Sequence, residues 1–190
     1  RGAPVVVYEE TNGYILDPLF SHLNPQVLFF SGRALTTWVG EFASHFFGNP
    51  SHFLKVIAIT GTNGKTSVSH FIAQALTDCA VLGTLGNGRL GKLQPSSHTT
   101  LEAIQLQRCL DACRKEGILY VAMEASSHAL DQSRLAGVVV DTAVFTQISR
   151  DHLDYHKTME AYAQAKSFLF QQPGLKRAVI NSGDEIGRAH

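Results

Sequence analysis

The sequence predicts an α/β protein built on a mostly parallel sheet with flanking helices, and three observations carry that prediction. Short β-rich runs alternate with helix-period patterns along most of the 190 residues, as chained βαβ units require. Several of those runs are apolar throughout, like strands covered on both faces. One of them leads into a glycine turn and a helix, Lys55-Val56-Ile57-Ala58-Ile59-Thr60-Gly61-Thr62-Asn63-Gly64-Lys65-Thr66, which is the layout of a phosphate loop.

Taken in order, strands are expected over 5–8 and 27–30, then a helix over 34–47, then the breaker cluster Gly48-Asn49-Pro50-Ser51, which suits a domain junction. Residues 1–50 are too few for an ordinary domain with its own core. They read as the C-terminal part of a domain begun elsewhere, with 51–190 as a second domain. Strand 54–60 enters the glycine turn, and after Gly64 the residues Val68, Phe71, Ile72, Ala75 and Leu76 make one helical stripe toward the sheet. Strand 80–83 follows. Thr99-x-x-Glu102 reads as a capping box. The helix it opens carries Leu106, Cys109, Leu110 and Cys113 on one face, so the last two cysteines are core residues. Strands over 119–124, 142–146 and 177–180 complete the set. A helix over 158–170 puts Lys166 on the face of Met159, Tyr162, Ala163 and Phe170.

Composition removes several function classes. A hydrophobic fraction of 44% and a charged fraction of 17% exclude a disordered or fibrous chain. Lysine plus arginine number 16 and aspartate plus glutamate 16, so no overall basic field draws the chain to nucleic acid or an anionic membrane. The longest apolar runs, 56–60 and 138–140, fall far below the ~20 residues of a membrane span. The opening Arg1-Gly2-Ala3-Pro4 is not a signal-peptide pattern. Cys79, Cys109 and Cys113 leave an odd count with no Cys-x-x-Cys pair, against a disulfide framework or a zinc knuckle. A cytoplasmic monomer is expected.

In the loop, Gly61, Thr62, Asn63 and Gly64 let backbone N–H groups converge on an anion at a helix N-terminus. Lys65 neutralises terminal phosphates, and the Thr66 hydroxyl is placed for Mg²⁺. The strict motif needs glycine at position 59, which is Ile59, so the loop is a variant. A purely structural turn would leave Lys65 at a helix N-terminus, where the dipole disfavours a cation. Glu124 closes a strand at the edge where open α/β sheets bind ligands, and from spacing alone metal ligand, helix cap and ion-pair partner stay open. Asp151-His152-Leu153-Asp154-Tyr155-His156 sets histidines at i and i+4. A zinc protease is excluded because Leu153 stands where its glutamate belongs, while turn-capping histidines stay open. Lys166 has two readings: an ammonium that snorkels to water, or a desolvated amine of lowered pKa that takes up carbon dioxide as a carbamate. Ser126-Ser127-His128 with Asp131 is no nucleophile elbow, since Ala125 and Ala129 replace the glycines.

Gly-Thr-Asn-Gly-Lys-Thr at 61–66, Glu124 with its Ser-Ser-His, the 151–156 motif and Ala165-Lys166 together resemble the Mur ligases of bacterial cell-wall synthesis, over about 56–188. The likeness is greatest to the branch that adds the third amino acid of the wall peptide. Related folylpolyglutamate synthetases usually have glycine where this chain has Thr66. The resemblance implies a P-loop NTPase-like central domain, ATP as co-substrate and Mg²⁺ as cofactor. It implies a ligase in which a substrate carboxylate attacks the γ-phosphate and the resulting acyl phosphate is displaced by an amine. The implied partners are UDP-N-acetylmuramoyl-L-alanyl-D-glutamate and an amino acid, either diaminopimelate or lysine, with meso-diaminopimelate the expectation of the two. By the same resemblance Lys65, Glu124, His152 and Lys166 are catalytic, and Thr66, Glu124, His152 and carbamylated Lys166 hold metal. Residues Gly61, Thr62, Asn63, Gly64, Lys65 and Thr66 take ATP, while Thr99, Thr100, Ser126, Gln132 and Arg134 take the muramoyl peptide. Two positions depart from the family pattern, His98 in place of asparagine and Gly183 in place of an acidic residue. The resemblance further implies that the chain stops before the adenine pocket and the C-terminal amino-acid-binding domain, and does not turn over alone. A folylpolyglutamate-type ligase and a non-catalytic nucleotide-binding fragment are the alternatives.

Overall fold

The computed structural model describes residues 5–9, 28–32 and 34–183. A six-stranded sheet runs in the order β5-β4-β6-β3-β7-β8, with β3 Lys55–Thr60, β4 Cys79–Gly83, β5 Gly86–Arg89, β6 Tyr120–Glu124, β7 Val140–Phe145 and β8 Arg177–Ile180. Every pairing is parallel except β4 with β5, so the predicted fold class holds. The central strands are β3 and β6, in register Ile59 with Glu124. That register brings the start of the glycine turn and the strand-end carboxylate to one edge. The core on one face joins Val56, Ala58, Val121 and Met123 to Leu106, Leu110 and Leu169, all apolar surface removed from water.

The helices are α1 Leu35–Phe46, α2 Lys65–Ala75, α3 Ala103–Lys115, α4 Ser127–Asp131, α5 Leu153–His156 and α6 Met159–Ser167. Leu106, Leu110 and Cys113 of α3 are buried as expected, and Cys109 packs against the same core. Two expectations need correction. The stripe on α2 is Val68, Ser69, Ile72, Ala73 and Leu76, while Phe71 is 65% exposed. The helix is rotated so that Ser69, whose hydroxyl donates to the Thr66 carbonyl at 2.9 Å, lies innermost. The capping box at Thr99 does not form either: Glu102 is the N-cap of α3 and makes no side-chain cap bond. Thr99 is instead bonded to Thr84, at 3.1 Å between hydroxyl oxygens.

In the first fifty residues, β1 Val5–Glu9 pairs in parallel with β2 Leu28–Gly32. The start of the expected strand at 27 lies outside the described residues. Helix α1 then rests on the 135–138 turn, where Ser44 Oγ donates to the Gly137 carbonyl at 2.9 Å and Gly137 N–H donates to Glu41 at 3.1 Å. The breaker cluster turns the chain through the positive φ of Gly48 and Asn49.

At the opposite edge of the sheet from the glycine turn, Asp141 gathers Arg177 at 2.7 Å, Lys176 at 3.1 Å and Lys55 at 3.8 Å. Burial pushes its carboxyl up, but hydrogen bonds from Lys176 and Thr142 and the Lys176 and Arg177 charges outweigh this and hold it below the usual value. The stabilisation is therefore present above the ordinary carboxylate pKa and lost as pH falls through the depressed folded value. Asp141→Asn is expected to cost about 1–3 kcal/mol at pH 7. Urea unfolding of both proteins checks this, with the gap closing in acid.

Candidate functional site

The phosphate loop is built as its residues dictate. Gly61 and Gly64 take positive φ, 144° and 85°, which lets the chain turn sharply from β3 into α2. Thr62 closes the loop against the segment after β7: its N–H donates to the Gln147 carbonyl at 2.7 Å, and its hydroxyl accepts from Ser149 N–H at 2.9 Å. Lys65 folds back over the loop, donating to the carbonyls of Gly61 and Thr62 at 2.9 Å each. Burial lowers its pKa, against the opposing pull of Glu124 and Asp151.

Glu124 is 1% exposed. Its carboxylate accepts from the Thr66 hydroxyl at 3.0 and 3.1 Å, from Thr84 N–H at 2.8 Å, and lies 3.3 Å from the Thr84 hydroxyl. Among the described residues every donor on it is neutral. A buried carboxylate whose direct hydrogen bonds are all to neutral donors, with the Lys65 charge acting only from beyond hydrogen-bond reach, is costly, and a hydroxyl beside it at the mouth of a phosphate loop supplies hard oxygen donors of the kind Mg²⁺ takes alongside phosphates. The residues fit that ion. Gly83 was not singled out in the sequence, yet a Cβ there would lie 2.8 Å from Glu124 Cδ and 2.9 Å from Cγ, overlapping Oε1 as well. Thr84 was also missed, because a backbone N–H donor has no sequence signal.

Lys166 is 3% exposed, so it does not snorkel. Its ammonium donates to the Gly61 carbonyl at 2.9 Å and lies 4.3 Å from the centre of the Tyr162 ring. An apolar cavity of about 380 Å³ lined by Phe145, Ile148, Phe170, Leu175 and Ile180 lies beside it. Burial, aided by the nearby Lys65 charge, brings its pKa down to about 7. This second amine on the Gly61 carbonyl ties α6 to the phosphate loop across 105 residues of sequence.

The two histidines of the 151–156 motif part company. His152 caps α5 in left-handed backbone, with its side chain 47% exposed and its ring 6.1 Å from Tyr162. His156 is buried and bonds Ser127 Oγ at 2.9 Å. His128 completes a ring cluster, 4.9 Å from His152 and 4.2 Å from Tyr155. Burial first, then a neighbouring imidazole, lowers the pKa of both His128 and His156.

The five expected peptide contacts form one hydrogen-bonded network that reaches Glu124. The Thr100 hydroxyl donates to the Glu124 carbonyl at 2.8 Å and accepts from Ser126 N–H at 3.0 Å, and Ser126 caps α4 through Ala129 N–H. Arg134 donates to the Thr100 carbonyl at 3.3 Å, to Gln132 at 2.6 and 2.9 Å, and pairs with Glu102 at 3.0 Å. Its guanidinium faces a groove of about 660 Å³ that runs between α1 and α3. Thr99 joins this group through Thr84.

Residues 59–190 match the family described as Mur ligase middle domain. The chain is 56% identical over 154 residues to the UDP-N-acetylmuramoyl-L-alanyl-D-glutamate--2,6-diaminopimelate ligase of Coxiella burnetii, which covers 79% of this chain and 32% of that protein. A solved structure of a ligase of the same name matches with a TM-score of 0.77 at 44% identity, over 85% of this chain and 34% of that one. Mycobacterium tuberculosis folylpolyglutamate synthase shares the fold alone, with a TM-score of 0.59 and 16% identity over 82% of this chain and 43% of that one. The chain thus spans about a third of the length of the ligases it matches.

Proposed function

Since this chain belongs to the Mur ligase family through its middle domain, we propose that it is the ATP-handling part of a ligase that joins diaminopimelate to UDP-N-acetylmuramoyl-L-alanyl-D-glutamate in the cytoplasm. The observation that carries this reading is the buried Glu124 carboxylate, held by neutral donors against Thr66 at the mouth of the phosphate loop. Residues 1–50 are then the end of the UDP-binding N-terminal domain and 51–190 part of the central ATP-binding domain.

In this reading Lys65 exchanges the Gly61 and Thr62 carbonyls for the β- and γ-phosphates, and the N–H groups of Thr62 to Thr66 surround the phosphate chain. Thr66 and Glu124 would hold one Mg²⁺ and His152 with a carbamate on Lys166 a second, and bound Mg²⁺ would supply positive charge to the phosphate oxygens. Arg134, kept in place by Gln132 and Thr100, presents its fork to a substrate carboxylate. Thr99, Thr100 and Ser126 offer hydroxyls to the peptide between that fork and Glu124. The Lys166 amine, brought down to about 7 by burial and Lys65, is free enough to form a carbamate.

Calorimetric titration of UDP-N-acetylmuramoyl-L-alanyl-D-glutamate into the chain tests the proposal. Binding that weakens at least ~10-fold in Arg134→Ala is expected, the loss of charge-assisted hydrogen bonds. Equal affinity in the variant overturns the assignment of Arg134, and no binding by the parent chain overturns the substrate class.

A further inference from the structure

Thr84, in the turn between β4 and β5, stands where the two halves of the site meet. Its hydroxyl oxygen is 3.3 Å from Glu124 Oε2 on one side and 3.1 Å from Thr99 Oγ1 on the other, while its N–H holds Glu124 Oε1 at 2.8 Å. Glu124 is shared with Thr66 of the phosphate loop. Thr99 is followed by Thr100, whose carbonyl receives Arg134.

A hydroxyl has one proton to donate, so Thr84 cannot serve both neighbours at once. Thr84 is the hydroxyl donor toward both neighbours, and in one arrangement its proton goes to Glu124, so that Thr99 receives nothing from it. In the other, Thr84 donates to Thr99, which fixes the Thr99 hydroxyl as an acceptor on that side and turns its own proton toward an acceptor outside the protein. Occupation of the Glu124 lone pairs by a cation removes the acceptor that favours the first arrangement.

We propose that Thr84 is a positioning residue whose hydroxyl couples the two halves of the site, so that filling the metal–nucleotide side turns the Thr84 proton onto Thr99 and orients the Thr99 hydroxyl to donate on the muramoyl-peptide side. This rests on the assignment of those two halves made above. The coupling is positive, and by linkage each ligand strengthens the other by the same factor. Its size is that of one hydrogen bond gained, ~3–10-fold in affinity.

The test titrates UDP-N-acetylmuramoyl-L-alanyl-D-glutamate into the 190-residue chain with and without a saturating non-hydrolysable ATP analogue and Mg²⁺. It is repeated in Thr84→Val, which keeps the N–H and loses the hydroxyl, and in Thr84→Ser, which restores it. The expected result is an enhancement of ~3–10-fold in the parent and in Thr84→Ser, falling below ~2-fold in Thr84→Val with the affinity measured without nucleotide little changed. An undiminished enhancement in Thr84→Val overturns the proposal, as does a parent chain that binds both ligands without any enhancement. A parent chain that binds no muramoyl peptide overturns the substrate assignment beneath it, so the two failures are distinct.

Discussion

Replacing Lys166 by methionine is expected to remove one carbamate from this chain and a pH dependence from its stability. At pH 7 roughly half of the Lys166 amine is neutral, because burial and the Lys65 charge bring its pKa to about 7. A lysine at its ordinary value is neutral in only about one part in a few thousand at that pH. Carbon dioxide reacts with the neutral amine, and Gly61, Tyr162 and the apolar cavity beside them hold that amine at one place. In ¹³C-bicarbonate the parent chain should give a carbamate resonance that Lys166→Met lacks. The unfolded chain keeps the Lys166 proton to about pH 10, whereas the folded chain gives it up near about 7. Between these values the unfolded state binds more protons, so stability rises with pH across that window, and below it the penalty of the buried charge is present in full. Urea unfolding at the two ends of the window should show that rise in the parent and a flatter profile in Lys166→Met.

Gly83→Ala is expected to leave a folded protein that has lost its hold on the Mg²⁺ that Thr66 and Glu124 are proposed to bind. The new methyl group would overlap the Glu124 carboxyl, and that carboxyl is the movable partner, since the backbone of β4 is locked between β5 and β6. Glu124 would swing away from Thr84 N–H and the Thr66 hydroxyl, the two groups that fix it. Loss of such support around a metal ligand costs ~10–100-fold in metal affinity. Mn²⁺ titration followed by electron paramagnetic resonance in the presence of an ATP analogue checks this. Far-ultraviolet circular dichroism should be unchanged.

How far the site was legible in the sequence follows from how local each feature is. The phosphate loop could be read outright because its glycines, lysine and threonine act through the backbone immediately around them. The strand carrying Glu124 could be read from its apolar run, but not the neutrality of the carboxylate's partners, which come from α2 and the β4–β5 turn. Lys166 could be placed on an apolar face, yet its acceptor, the Gly61 carbonyl, lies in the loop itself and is reached only when α6 folds across the sheet edge. Strand β5 was missed because Gly86-Asn87-Gly88 has the composition of a breaker, and it becomes a strand only by pairing with β4. Thr99 and Glu102 have the spacing of a capping box, but the tertiary bond of Thr99 to Thr84 draws it away and α3 starts later. Phe71 was assigned to the sheet by hydrophobicity, whereas the inward side of α2 is centred on the small Ser69.

Titration of a non-hydrolysable ATP analogue with and without Mg²⁺, into the parent chain and into Lys65→Ala, tests most directly whether Lys65, Thr66 and Glu124 form one metal–triphosphate site. Binding in the parent should require Mg²⁺ and weaken in Lys65→Ala by ~10-fold or more, the loss of charge-assisted bonds to phosphate. Binding of equal strength with or without Mg²⁺, undiminished in Lys65→Ala, would contradict it.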